Sequence, residues 1–433
     1  MKVRIMDLVK VKVEYKSFIY LIVLVSTLTA FAIIPTVPAT VPAYLLTIIL
    51  LCIFFASPIK SELQKKTAWE FFLFVFLFLG ITLMSQIASL LFPVSVPKTI
   101  VLIDASDYTT LILRSSLITQ SAYLICNVFL YLMIKNYGDE RLIKFILWTF
   151  RLLIIYGLYE LIFYMVFNTS GDFISNRVYG NQEDGVIGGS FQLQSIGAIS
   201  WLRIKGFTGE PSMFSFTTLP YFALLIGMKK KWEAALCLCC LILTFSTTAF
   251  LGLFIYGIYL MFFSSNRKLR YSIMLIIGSL IILVLFLYTT NDIFSELINQ
   301  IFLDKFSGQT VSGDERSSFF LATFNFWRTS DILHFLFGFG FGFARSTDFC
   351  STLLFNTGLF GFLAFTAFVC THLFIPVKNK ILKENYRAAV IMLFVVMMVS
   401  VPEFAYCSFW VILASGYIIK NYNLTDSANV IYR

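Results

Sequence analysis

The sequence predicts an all-α, polytopic membrane helical bundle: one integral membrane domain, 1–433, of about twelve transmembrane helices with a large, partly helical extracytoplasmic loop. Three observations predict it. Hydrophobic residues make up 58% of the chain and charged residues 13%, and 49 Phe with 21 Tyr leave too little polar surface to wrap a soluble globule. Apolar runs recur along the whole length, separated by short polar breaks. The cations gather in alternate breaks, so although a net charge of +9 would point to nucleic acid in a soluble domain, here it marks the sides of a membrane and no nucleic-acid partner is expected.

Taken in order, the apolar runs fall at 18–34, 43–56, 69–92, 111–134, 145–167, 212–228, 232–248, 249–263, 271–288, 351–374, 388–404 and 405–419. A hydrocarbon core of ~30 Å needs roughly 20 helical residues, so the shorter runs need shielding by neighbours. The pair inside 232–263 is two crossings rather than one, because Lys229, Lys230 and Lys231 on one flank and Arg267, Lys268 and Arg270 on the other belong on the same side. The turn near Ser246, Thr247 and Thr248 can satisfy its own backbone with hydroxyls. With the N-terminus inside, the cytoplasmic loops also collect Lys60, Lys65 and Lys66, then Lys135, Arg141 and Lys144, then Lys378, Lys380, Lys383 and Arg387. Both termini are thus expected in the cytoplasm. A cleaved signal peptide over 1–34 is the alternative, but a retained anchor keeps every basic loop on one side.

Cysteine usage says little, since six of the eight lie inside apolar runs and the CLCC at 237–240 lacks a second ligand pair for zinc. Two long loops, 168–211 and 290–350, form the expected extracytoplasmic cap. The first begins with a polar stretch containing Arg177 and ends in RIKGFTGEPS, Arg203 to Ser212. In the second, Ile293, Phe294, Leu297, Ile298, Ile301 and Phe302 have helical spacing, and a second such face follows Arg316 with Phe320, Phe324 and Trp327. These helices either lie on the bilayer surface or roof a cavity. The FGFGFGF run with Gly338, Gly340 and Gly342 lacks a Walker lysine and a strand–turn–helix context, so it reads as a turn packed closely on the next helix.

Charges inside apolar runs are costly, about 2.5 to 3.5 kcal/mol at mid-membrane. Arg114 either snorkels to the interface or faces a cavity. Arg151 and Glu160 are nine residues apart on one run, on opposite helix faces, so each needs a partner elsewhere or water. Glu160, like Arg114, is expected to face an outer cavity.

RIKGFTGEPS, SGDER ending in Arg316, and LFGFGFGFARSTDFCSTLLFNTGLFG from Leu336 to Gly361 together resemble the Wzy-type O-antigen polymerases and the related O-antigen ligases. The resemblance implies a metal-independent, cofactor-free glycosyltransferase of the bacterial inner membrane with its active site facing the periplasm. The implied reaction transfers a growing glycan from undecaprenyl pyrophosphate to the non-reducing end of a lipid-linked repeat unit. The partners it implies are that undecaprenyl-pyrophosphate-linked oligosaccharide, the lipid bilayer and a chain-length regulator protein. Carried over by motif, Arg203, Glu210 and Arg316 match the family's site residues. A ligase would show a histidine near Thr347 or Asp348, and none is there, which favours polymerase over ligase. A flippase-type transporter of lipid-linked oligosaccharide is the reading from another class.

The residues support the same chemistry independently. Arginine binds phosphate oxygens bidentately and stays charged, so Arg203, Arg316, Arg114 and Arg345, with Lys205 and Glu160 beside them, are the candidate substrate-binding set. Glu210 or Asp348 is the candidate general base, with Glu210 alternatively a cap on the helix that Pro211 begins. The expected topology is checked by single cysteines in a cysteine-free background. Gly185→Cys and Ser312→Cys should react with an impermeant reagent from outside and Lys230→Cys should not, and labelling of Lys230→Cys alone would reverse the orientation.

Overall fold

The computed structural model describes residues 15–58, 61–104, 108, 112–177, 192–196, 199–299, 311–420 and 422; the side chains of 38, 195, 196, 199, 293, 297 and 311–316 are outside that description. Each predicted apolar run carries a helix. In chain order these are α1 (Tyr15–Val25), α2 (Pro42–Ala56), α3 (Glu62–Leu91), α4 (Ser115–Tyr137), α5 (Arg141–Phe167), α6 (Pro211–Gly227), α7 (Lys231–Leu243), α8 (Thr247–Phe263) and α9 (Arg267–Thr290). They continue with α10 (Asp292–Ile298), α11 (Val311–Arg328), α12 (Ile332–Phe337), α13 (Phe349–Thr371), α14 (Lys380–Ser400) and α15 (Cys407–Ile419).

Among the described residues, α3, α4, α5, α9 and the stretch Phe349–Phe374 are long and apolar enough to cross a membrane. The chain is therefore a helical membrane-type bundle. Helix α6 is largely enclosed, walled in by α7, α8 and α14. Helix α9 is the opposite extreme, with no buried residue and an apolar surface suited to hydrocarbon rather than to water. Trp69 and Trp232, at the starts of α3 and α7, are 70% and 90% exposed, as expected of rings at headgroup depth.

Two of the runs stop sooner as helices than apolarity alone predicts. Helix α1 ends at Val25, where Ser26 turns its hydroxyl back onto the Val23 carbonyl at 2.8 Å, and Pro35 and Pro38 follow. Helix α14 ends at Ser400 because Pro402 disfavours helical backbone at Val401, which is extended at φ −134°. The turn between α7 and α8 uses hydroxyls as expected, but through Thr244, whose Oγ1 donates to Leu241 O at 2.6 Å and accepts from the Ser246 N–H at 3.3 Å. Among the described residues the all-α expectation is interrupted by the antiparallel hairpin β1 (Leu193–Ile196) and β2 (Ile199–Leu202), with Leu193 opposite Leu202.

The charges on α5 find separate partners, as their opposite faces require. Arg151 makes a forked pair with Glu233 of α7, at 3.0 and 2.8 Å. Glu160 accepts the Gly206 backbone N–H at 2.8 Å.

The glycine run is a turn packed on α13. Helix α13 breaks at Gly358, whose backbone is left-handed at φ +64°, and the break turns out two carbonyls that the helix would otherwise use. Phe339 N–H donates to Phe355 O at 2.8 Å and Gly340 N–H donates to Asn356 O at 3.1 Å. A Cβ at Gly338 would sit 2.5 Å from the Asn356 carbonyl carbon, and one at Gly358 would sit 2.4 Å from the Leu336 carbonyl. Main chain therefore crosses main chain with no room for a side chain. Gly358→Ala should lower the temperature at which the detergent-purified protein aggregates, whereas Gly80→Ala, with nothing near its new methyl, should leave it unchanged or slightly raised. Equal melting of the two variants would refute the crossing.

Candidate functional site

The site begins with one residue, Ala30, in the extended segment after α1. Its N–H donates to Phe207 O at 2.8 Å, while its carbonyl accepts from Asn176 N–H at 3.1 Å and Arg177 N–H at 3.0 Å. The Asn176 amide then pairs with both backbone groups of Ala32, each at 2.8 Å. These bonds hold the loop after α5 and the RIKGFTGEPS stretch against the same short segment. Arg177 is fixed there, with Nη1 donating to Thr29 O at 3.3 Å.

Beside Arg177 lies a cleft of about 30 Å³, lined by Ser26, Thr29, Tyr44, Tyr123, Arg177 and Glu403 among others. Glu403 comes from the break between α14 and α15 that Pro402 enforces. Its Oε1 accepts the Ala405 N–H at 2.9 Å, and its Oε2 pairs with Arg345 Nη2 at 3.1 Å. Its side chain is 15% exposed and that of Arg345 is 46% exposed. The Tyr44 hydroxyl closes the floor, donating to Ala405 O and accepting from Asn127 Nδ2.

Arg345 is aimed by the glycine turn. Asn356 of α13 holds both backbone groups of Ala344 at 2.9 Å, and Arg345 N–H donates to Val101 O at 2.9 Å. Arg114, expected either to snorkel or to face a cavity, is 5% exposed, with its guanidinium 4.8 Å from the centre of the Phe343 ring and Nη2 donating to Asp104 O at 2.6 Å. It thus packs beneath the turn that carries Arg345 rather than snorkelling.

The other expected site residues are distributed around this cleft in different roles. Lys205, 2% exposed, pairs with Asp172 at 2.5 Å, and the Tyr156 hydroxyl donates to the other oxygen of Asp172 at 3.1 Å. Burial would raise the Asp172 carboxyl, but hydrogen bonds from Lys205 and Ser175 outweigh it and hold it below its ordinary value. Glu160, 1% exposed, lies under the same cluster and does not line the cleft beside Arg177. Arg203 is spread over the α7–α8 turn, Nε to Thr244 O at 3.0 Å and Nη2 to Phe245 O at 3.3 Å, with Nη1 on Gln192 at 3.3 Å. Arg203 and Lys205, the expected phosphate ligands, thus both have protein partners. Each is tied to the fold, the first by helix-end carbonyls and the second by a buried carboxylate.

Asp348 is the N-cap of α13. Its oxygens accept from Ser351 N at 2.7 Å, Ser351 Oγ at 2.5 Å and Ser346 Oγ at 3.0 Å, which leaves little capacity for a substrate proton and assigns it to the helix rather than to catalysis. Glu210 precedes Pro211 at the start of α6 but makes no side-chain cap; its Oε2 accepts only a 3.3 Å bond from Ser212 Oγ among those described. Arg316 lies on α11, with its side chain outside the described residues.

Sequence reasoning passed over Arg177 and Glu403. Glu403 did carry a signal, as the single charge in the apolar run 388–404, next to a proline that must open the helix. Arg177 carried none, because nothing local distinguishes it from a solvated loop cation. Comparison with protein-family models, with curated proteins and with solved structures gives no match.

The Lys205–Asp172 pair makes a stability prediction with a definite sign. Because the folded Asp172 carboxyl is depressed, its contribution is fully present above about pH 4 and is lost as pH falls through the lower folded value. Lys205→Met alone should cost about 3 to 5 kcal/mol by leaving a buried carboxylate unpaired, and the double change with Asp172→Leu should recover most of it. Thermal unfolding in detergent between pH 3 and 7 reads both effects. A double variant no more stable than Lys205→Met would show that the pair is not the cause.

Proposed function

We propose that the chain is a glycosyltransferase that polymerises a surface polysaccharide, moving a growing glycan from a polyprenyl pyrophosphate to a lipid-linked repeat unit. The observation that carries this reading is the convergence, inside an apolar bundle, of Arg177 and Glu403 on one cleft, with Arg345, from the segment after α12, paired to Glu403. In the proposed topology the twelve apolar runs all cross, both termini are cytoplasmic, and this end of the bundle faces the periplasm of a bacterial inner membrane.

A transferase on that side has no access to cytoplasmic nucleotide sugars, so the donor must carry its own leaving group through the membrane, as a lipid pyrophosphate does. The acceptor hydroxyl oxygen attacks the anomeric carbon, the bond from that carbon to the pyrophosphate oxygen breaks, and the electron pair leaves with the pyrophosphate. Arg177, with Arg316 by its match to the family motif, neutralises the developing charge. A carboxylate accepts the hydroxyl proton. The resemblance of RIKGFTGEPS and the Leu336–Gly361 stretch to the O-antigen polymerases supports the same reading.

Deletion in the source cell separates this function from its rivals by product. A lost polymerase leaves single repeat units on the surface with no ladder. A lost ligase leaves polymer on the lipid carrier, and a lost flippase traps units on the cytoplasmic face. Arg177→Lys should reduce polymer formation by roughly 10- to 150-fold, the equivalent of about 1.5 to 3 kcal/mol for a charged hydrogen bond lost with the planar fork. Polymer retained on the carrier over bare core would replace polymerase by ligase.

A further inference from the structure

We propose that Glu403 is the proton acceptor of the transfer step and that the cleft beside it seats the reacting hydroxyl of the acceptor sugar. The assignment rests on the reading of the chain as a lipid-pyrophosphate-dependent glycosyltransferase.

Four observations carry it. First, Glu403 lines the cleft, while Asp172 and Asp348 are each held by several buried partners, Glu160 is 1% exposed and outside the cleft lining, and Glu210 is not among the cleft residues. Second, its carboxylate is held at both oxygens, by the Ala405 N–H at 2.9 Å and by Arg345 Nη2 at 3.1 Å. A carboxylate accepts about four hydrogen bonds, so each oxygen keeps a lone pair for a substrate hydroxyl. Third, the cleft of about 30 Å³ has room for a water-sized group and so admits a hydroxyl. Fourth, Tyr123, Ser26 and Thr29 line the same cleft, a mixture of an aromatic and small polar residues that suits a sugar edge.

The step balances as follows. The acceptor hydroxyl gives its proton to a Glu403 oxygen as its own oxygen bonds to the anomeric carbon, and the pyrophosphate leaves with the electron pair of the broken bond. Arg345 acts through Glu403 as a positioning residue. Its guanidinium, 3.1 Å from one carboxylate oxygen, fixes the direction in which the carboxylate points.

The test uses the full-length protein in lipid nanodiscs with a defined undecaprenyl-pyrophosphate-linked repeat unit, reading polymer length and rate. Glu403→Gln should lower the rate about 10²- to 10⁴-fold with the half-saturating donor concentration changed by less than about threefold. Glu403→Asp should retain partial activity. Arg345→Met should lower the rate at least about 10-fold with the half-saturating donor concentration little changed, and Arg345→Lys, which keeps the cation, should restore most of it; a merely structural loss would not be rescued by the conservative variant. Glu403→Gln or Arg345→Met at wild-type rate would overturn the assignment while the wild-type product keeps the functional reading intact. If Glu403→Gln does not accumulate in the membrane, the rates of Glu403→Asp and Arg345→Met decide, wild-type values in both overturning the assignment. A wild-type protein that makes no polymer would sink the functional reading itself, and the assignment with it.

Discussion

Where Phe339 and Gly340 donate to the carbonyls that α13 releases at Gly358, the backbone of a turn lies directly on the backbone of a broken apolar helix. In hydrocarbon a broken helix is tolerated only if its freed groups find partners in protein, and here each break supplies what the other lacks. Glycine on both sides makes the approach close enough. From that crossing follow the Asn356 clamp on Ala344, the direction of Arg345, and the seat of Arg114 under Phe343.

The remaining charges show how an apolar bundle uses polarity to fix geometry. Arg203 spans a turn, Lys205 and Asp172 neutralise each other under the loop after α5, and Arg151 joins α5 to α7 through Glu233. Each is a charge given hydrogen bonds by another element, and the Lys205–Asp172 pair is withdrawn from water as well. Glu403 differs in place: it lines a cleft and pairs there with Arg345, which is 46% exposed.

The helices were legible because apolarity over some twenty residues is a local property, and every run from 18–34 to 405–419 carries a helix. So was the separation of Arg151 from Glu160, which needs only the helical repeat, and so was the packing role of Gly338, Gly340 and Gly342, whose backbones are all left-handed at φ +75°, +129° and +72°. The hairpin at 193–202 was not, since its four-residue strands carry too short a pattern against the polar stretch around them.

Sequence by itself determined that this chain is a membrane bundle, where its helices fall, and that charges near RIKGFTGEPS and after the glycine turn require a reason to be there. Only the tertiary structure decided which of those charges lock the fold and which line a cleft. Arg203 and Arg177 look alike in the sequence; one is bound to Thr244 and Phe245 and the other stands beside Glu403, more than two hundred residues away. The sequence fixes how much a buried charge costs, but the partner that offsets the cost is chosen by the folding of distant segments onto one another, and no local pattern records that choice.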